Sequence, residues 1–348
     1  MDSKKLALVM ASIGLALVGC DGGGTGDGGS TATFPARDNV CEDGASPPCE
    51  TNTPAASEEQ RTVAVDESME AETRLYVVEL ISLPEASDPD GPGPQREQAA
   101  GFNLDGLDSG EGSSEPDANC EQFNTDYVAV TDSAHVGVDN ALQGLVGTIE
   151  GLLSAEDCPG GTTDGCLDAQ LQEQIADGSL LLMMEVSGIN NYTNDTSVML
   201  RLFLGATTDG SPPMIDSDGT LAAGQTFVEE TALGSAVEGD IFQGRLRATT
   251  DLLTIEINTG DFALPLMISN AEVRFDITES ALTGGAIGGY LTTQSIIDAA
   301  SMIMPGIEET VRSVVESVAD IDPSAENPEV CNSVSVGLTF DATTAVEG

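Results

Sequence analysis

Carboxylates are the side chains with which this 348-residue chain could do most chemistry, because Asp and Glu number 59. Three stretches set hard oxygens close together among turn-forming residues. Asp88 and Asp90 lie in "SDPDG", Asn103, Asp105 and Asp108 in "FNLDGLDSG", and Asp216 and Asp218 in "IDSDG". Calcium takes about six to eight such oxygens from a flexible loop, so calcium is the cofactor these residues could hold. None of the three completes the D-x-D-x-D-G run of a full calcium loop, and Asp-Gly pairs also simply make turns. Paired carboxyls could instead carry acid–base hydrolysis of the glycosidase kind. Against that, Trp is absent and there are only nine Phe and four Tyr on which a sugar ring could stack. Glu272, Asp276 and Glu279 also lack the ExDxxE spacing of β-sandwich glycanases. A cleft holding two carboxyls about 5–10 Å apart, with raised pKa values, would favour a hydrolase over a binding or structural role.

Elimination narrows the chemistry further. No lysine follows Lys5, which removes a Walker A loop, a Schiff base and a Ser–Lys dyad. The single histidine, His135, removes HExxH and His-rich metal sites. His135 has Asp132, Ser133 and Asp139 near it in sequence, but triad partners must converge in space, so it reads as a helix-entry residue. No GxSxG elbow occurs. The run "GGAIGG" lacks dinucleotide-loop spacing, and its glycines read as permitting close packing before a helix.

Thiols are the second reactive group. Lys4 and Lys5 precede an apolar run, Leu6 to Gly19, of fourteen residues. That is short of the about 18 that a spanning helix needs, and it fits a signal peptide. The run ends in Leu17-Val18-Gly19-Cys20, the pattern of a bacterial lipobox, with cleavage before Cys20 and acylation of its thiol. Each buried CH₂ contributes roughly 0.8 kcal/mol, so two or more acyl chains hold stably to a bilayer. Seven cysteines are present. With Cys20 acylated, six remain to pair, which implies an oxidising compartment. Spacing favours Cys41 with Cys49 and Cys158 with Cys166, each around a turn-rich loop, leaving Cys120 with Cys331. Other connectivities stay open, since six cysteines allow about 15.

Charge bounds the partners. The formal net charge is −48, and loss of residues 1–19 would leave no lysine at all. Nucleic acid is excluded as a partner, because phosphate neutralisation needs a basic patch. Anionic headgroups would repel such a chain, so the lipid on Cys20 must be its link to the bilayer. The expected address is the cell envelope of a Gram-negative bacterium, with an unidentified envelope or extracellular partner.

The elements that must position these residues follow from pattern. Residues 1–19 form the signal peptide, and 20–74 an acidic tether that opens on Gly, Asp, Thr and Ser and includes the small Cys41–Cys49 loop. A single β-rich globular domain spans 75–348, with a long Pro/Gly/Asp/Ser-rich loop at 84–126 that reads as disordered. "LYVVELISL" (75–83), "SLLLMMEVSG" (179–188), "SVMLRLFLGA" (197–206) and "SVSVGLTFDATTA" (333–345) read as strands. The stretch 244–278 reads as about four more. Helical periodicity covers 136–153, 167–177 and two helices after Thr293, which can cap the first. Antiparallel strands with turn signals between them predict a mainly β fold: a β-sandwich-like core with about four packed helices.

The order of these pieces resembles a group of uncharacterised lipoproteins from myxobacteria and related Gram-negative bacteria. "VDNAL" (138–142), "GGAIGGYL" (284–291) and "SVSVGLTFDA" near the end carry the likeness, over roughly residues 75–348. The resemblance implies a lipid-anchored envelope protein and brings no known activity with it. In that group an Asp/Gly-rich run precedes the last strand. Here the corresponding segment is "DIDPSAENPEVCN", so no calcium site carries over there.

Overall fold

The computed structural model describes residues 30–34, 61–65, 70–83, 98–105, 120, 126–129, 136–150, 155–156, 158–163, 165–217, 219–258, 263–303, 306 and 308–348. In chain order the strands are β1 (Ser30–Phe34), β2 (Arg61–Val65), β3 (Glu72–Ser82), β4 (Gln98–Ala99), β5 (Tyr127–Ala129) and β6 (Val136–Val138). Helices α1 (Ala141–Glu150) and α2 (Cys166–Asp177) follow. Then come β7 (Leu182–Ile189), β8 (Asn194–Thr207), β9 (Gln225–Ala232), β10 (Val237–Phe242), β11 (Arg245–Asn258), β12 (Ala263–Ile277) and β13 (Ala281–Thr292). Helices α3 (Thr293–Ile303) and α4 (Glu308–Val318) precede β14 (Ile321–Pro323) and β15 (Cys331–Glu347).

The sandwich expectation is wrong: the sheet closes on itself. Strands β3, β7, β8, β10, β11, β12, β13 and β15 form an eight-stranded antiparallel barrel, closed where β10 pairs with the second edge of β8. Two further strands of the same sheet lie outside the ring, and β1–β2 and β4–β5–β6 form two small sheets of their own. β14 pairs with the start of β15, and β9 bridges from the end of β8 to the end of β15. A sandwich would leave four sheet edges to protect, whereas closure removes them. The closing strand is short and reads poorly as a strand, "VEGDIF". Its Gly239 is required by space, since a Cβ there would lie 2.6 Å from the Arg247 carbonyl oxygen.

Alternation along the strands fills the barrel. Leu246, Phe275, Ile287, Phe340, Met184 and Leu200 are fully buried. Phe275 and Phe340 meet edge to face with ring centroids 5.9 Å apart. Side chains occupy the interior, as eight strands allow. Outward positions carry ion pairs: Arg201 with Glu185 (3.2 Å) and Glu229 (2.5 Å), and Arg245 with Asp276 (2.7 Å). The stretch 244–278 forms two long strands rather than four short ones. β11 and β12 pair from Arg245–Asp276 to Asn258–Ala263, and β10 joins them through a two-residue turn. That turn uses positive φ at Gln243 and Gly244, as a type I′ hairpin demands.

Helices cover parts of the outer face and are fastened by carboxylates. At α2, Glu150 accepts the N–H groups of Gly165 (3.1 Å) and Leu167 (2.9 Å), placing negative charge at the helix start. Asp168 accepts Leu83 N–H (2.7 Å) and the Ser82 hydroxyl, pinning α2 to the end of β3. Gly178, at φ 86, ends the helix. At α3 the cap is Thr292, whose hydroxyl accepts Ser295 N–H (3.1 Å), and not Thr293. Disulfides join Cys120 to Cys331 and Cys158 to Cys166. Cys41 and Cys49 lie outside the described residues.

Candidate functional site

The three sequence motifs singled out above meet on the outer face of β13 and β15. Gly288 and Gly337 are register partners there. A Cβ on Gly288 would sit 2.4 Å from the Phe102 ring, and one on Gly337 would sit 2.2 Å from the Ala100 carbonyl oxygen. Two facing glycines therefore make a flat seat, and residues 98–105 lie in it. Ala99, Ala100 and Phe102 are buried. These residues fall inside the stretch read as a disordered loop.

The strap formed by 98–105 is tied to the two residues ahead of α1. Asp139 N–H donates to Phe102 O (2.9 Å), and Leu104 N–H donates to the Asp139 carboxylate (2.5 Å). Asn140 Nδ2 donates to Ala100 O (2.7 Å) and Gly337 O (3.3 Å), while Asn140 Oδ1 accepts from Gly337 N–H (3.2 Å). Asn140 also caps α1 through Gln143 N–H (3.3 Å). The helix expected over 136–153 starts only at Ala141, and Asp139 stands one residue before the cap. Under the strap, the guanidinium of Arg274 lies 5.1 Å from the centroid of the Phe102 ring. A cavity of about 100 Å³ is walled by Ala99, Ala100 and Gly101 on the strap side and by Leu80, Arg274, Ala286, Phe340 and Asp341 on the barrel side.

Behind the strap lies a group of buried acids. Asp139, Asp320 and Asp126 are 3%, 6% and 7% exposed. Burial raises the Asp139 carboxyl well above its ordinary range, and the charges of Asp105, Asp126 and Asp320 push it the same way. Burial likewise pushes Asp320 up to about 7, against bonds from the Ser335 hydroxyl and Ser335 N–H (2.8 Å) that favour its charged form. The Ser335 hydroxyl also accepts Ala141 N–H (2.8 Å), so it couples Asp320 to the first residue of α1.

Of the expected calcium ligands, Asn103, Asp105 and Asp216 lie among the described residues, in two separate segments. Asn103 is buried and Asp105 half-buried, both on the strap. Asp216 is exposed in a separate turn, where its N–H donates to Thr220 O (2.8 Å). Asp88, Asp90, Asp108 and Asp218 lie outside the described residues, as do Cys20 and His135. Among the described residues, no three Asp, Glu, His or Cys side chains are arranged to hold a metal ion. Of the glycines of "GGAIGG", Gly285, Gly288 and Gly289 do permit close packing, within strand β13, whereas Gly284 has nothing within 4 Å.

Sequence reasoning missed Asp320, Asp126, Asn140 and Ser335 as site residues. "VDNAL" was the available signal, because an Asp-Asn pair straight before an apolar helical run marks a cap that can bond outward as well. Asp320 had no signal, being one acid among 59. No family model, curated protein or solved structure matches this chain.

Proposed function

We propose that the protein is a lipid-anchored module of the Gram-negative cell envelope, acting by binding or as a structural component and not as an enzyme. The observation that carries this reading is Leu17-Val18-Gly19-Cys20 after a short apolar run, followed by a Gly/Asp-rich segment. The barrel's polarity supports a tether over insertion. Its interior is apolar and its outer face bears the Arg201, Glu185, Glu229, Arg245 and Asp276 ion pairs. A barrel that spans a bilayer has the opposite arrangement, with lipid-facing apolar residues and a polar lumen. Among the described residues no helix is long and apolar enough to cross a membrane.

One observation favours the rival reading, a carboxylate-dependent hydrolase: two carboxyls, on Asp139 and Asp320, have raised pKa values. Both are sealed from solvent, however, and neither lines the cavity. A general acid must reach its substrate, so the pair fits a structural role better. Calcium stays part of the proposal, for the three loops that hold Asp88 and Asp90, Asn103, Asp105 and Asp108, and Asp216 and Asp218.

The test is metabolic labelling in a Gram-negative host with radioactive palmitate. The wild-type chain should take up label and sediment with membranes. Cys20→Ser should lose the label and appear in the soluble fraction. An unlabelled wild-type chain would overturn the anchor.

A further inference from the structure

We infer that residues 98–105 are a pH-gated strap, shut over the cavity in acid and lifted from the β13–β15 face as the pH rises past neutrality. This goes beyond the envelope reading and does not depend on it.

The geometry makes the strap separable from the barrel. Its seat is a pair of glycines, Gly288 and Gly337, so no side chain of the seat interlocks with it. Its ties to the body include bonds from its backbone to Asp139 and Asn140 and the approach of Phe102 to Arg274. At its start, β4 adds a two-residue parallel pairing to β5. A segment that lies on a sheet face, outside the barrel's own ladder, opens at a lower free energy than the strands beneath it.

The gate is Asp139, which both accepts from the strap and faces other acids. Asp105 faces it from the strap itself, Asp126 from the residue before β5, and Asp320 from the segment after α4. β15 presents Ser335, an uncharged hydroxyl, which bonds Asp320 and α1. While Asp139 and Asp320 hold their protons, the four acids can crowd together. Ionisation sets like charges in a poorly solvated place, and each disfavours the others. Repulsion of Asp105 by Asp139 then acts on the strap directly and outweighs the Leu104 N–H bond to Asp139, which favours the charged form. Repulsion at Asp320 reaches the same end of α1 through Ser335. Lifting the strap hydrates the carboxylates, opens the cavity and bares Arg274 beside the flat glycine seat.

Hydrogen exchange on the full chain tests this, read by mass spectrometry at about pH 5.5 and about pH 8.5 and corrected for the intrinsic rate. Peptides covering 98–105 should exchange at least about tenfold faster at the higher pH, while β13 and β15 stay protected. Asp139→Asn and Asp320→Asn should abolish that difference. Asp105→Asn, at a half-buried position on the strap, should fold normally and reduce it, which keeps the test open if the buried variants do not fold. Equal strap protection at both pH values would overturn the inference. So would loosening of β13 and β15 together with the strap, or an undiminished pH response in Asp105→Asn.

Discussion

Asp320 is the residue whose chemistry is most exposed to measurement. Its carboxyl rises from 3.8 to about 7 on folding, so between those values the folded chain holds a proton that the unfolded chain has released. Stability therefore falls as the pH climbs from about 4 to about 7, and the loss persists above that. Asp320→Asn keeps a similar shape and removes the ionisation. It should raise stability at about pH 8 by roughly 1–3 kcal/mol and leave it little changed at about pH 4. Urea denaturation at the two pH values checks this, and a variant less stable at the higher pH would contradict it. This residue was illegible in advance, because burial decides its behaviour and a lone acid in an acidic chain announces nothing about burial. Asp139 and Asn140 were half legible: "VDNAL" marked a helix entry, but not that the pair also ties down a segment some forty residues earlier.

At the scale of elements, strands with dense β-branched and aromatic content were readable, and β3, β7, β8 and β15 lie close to where pattern placed them. What pattern could not show was pairing. β10 carries Glu238, Gly239 and Asp240 in six residues, so its composition argues against a strand. Yet its pairing with both β8 and β11 turns a sheet with edges into a barrel. The same blindness split β11 and β12 into four, since "TTD" has the composition of a turn but continues as strand in a long hairpin. Glycines tell a related story. Gly337→Ala places a methyl 2.2 Å from Ala100 O and 2.9 Å from Asn140 Nδ2, so the strap must move. Its cost should be about 1–3 kcal/mol, the usual range for overpacking. Gly147→Ala, on α1 with no neighbour within 4 Å, should instead stabilise by about 0.5–1 kcal/mol. Thermal melting of the two variants side by side gives the comparison, and equal effects would contradict the seat.

At the scale of the whole molecule, charge and polarity point the same way. A net charge of −48 disfavours contact with anionic membrane surfaces. Among the described residues the barrel interior is apolar and its outer face bears the Arg201 and Arg245 ion pairs. The Cys120–Cys331 disulfide spans 211 residues and closes most of the domain into one covalent loop. On this account the barrel stands in water and a lipid on Cys20 alone holds it to the envelope. The most direct test is detergent phase partition of the membrane-extracted protein before and after proteolytic cleavage within residues 21–29. The intact protein should enter the detergent phase, and the cleaved barrel should move to the aqueous phase with its circular dichroism unchanged. A cleaved barrel that stays folded in the detergent phase would mean that the barrel itself meets lipid, contradicting the account.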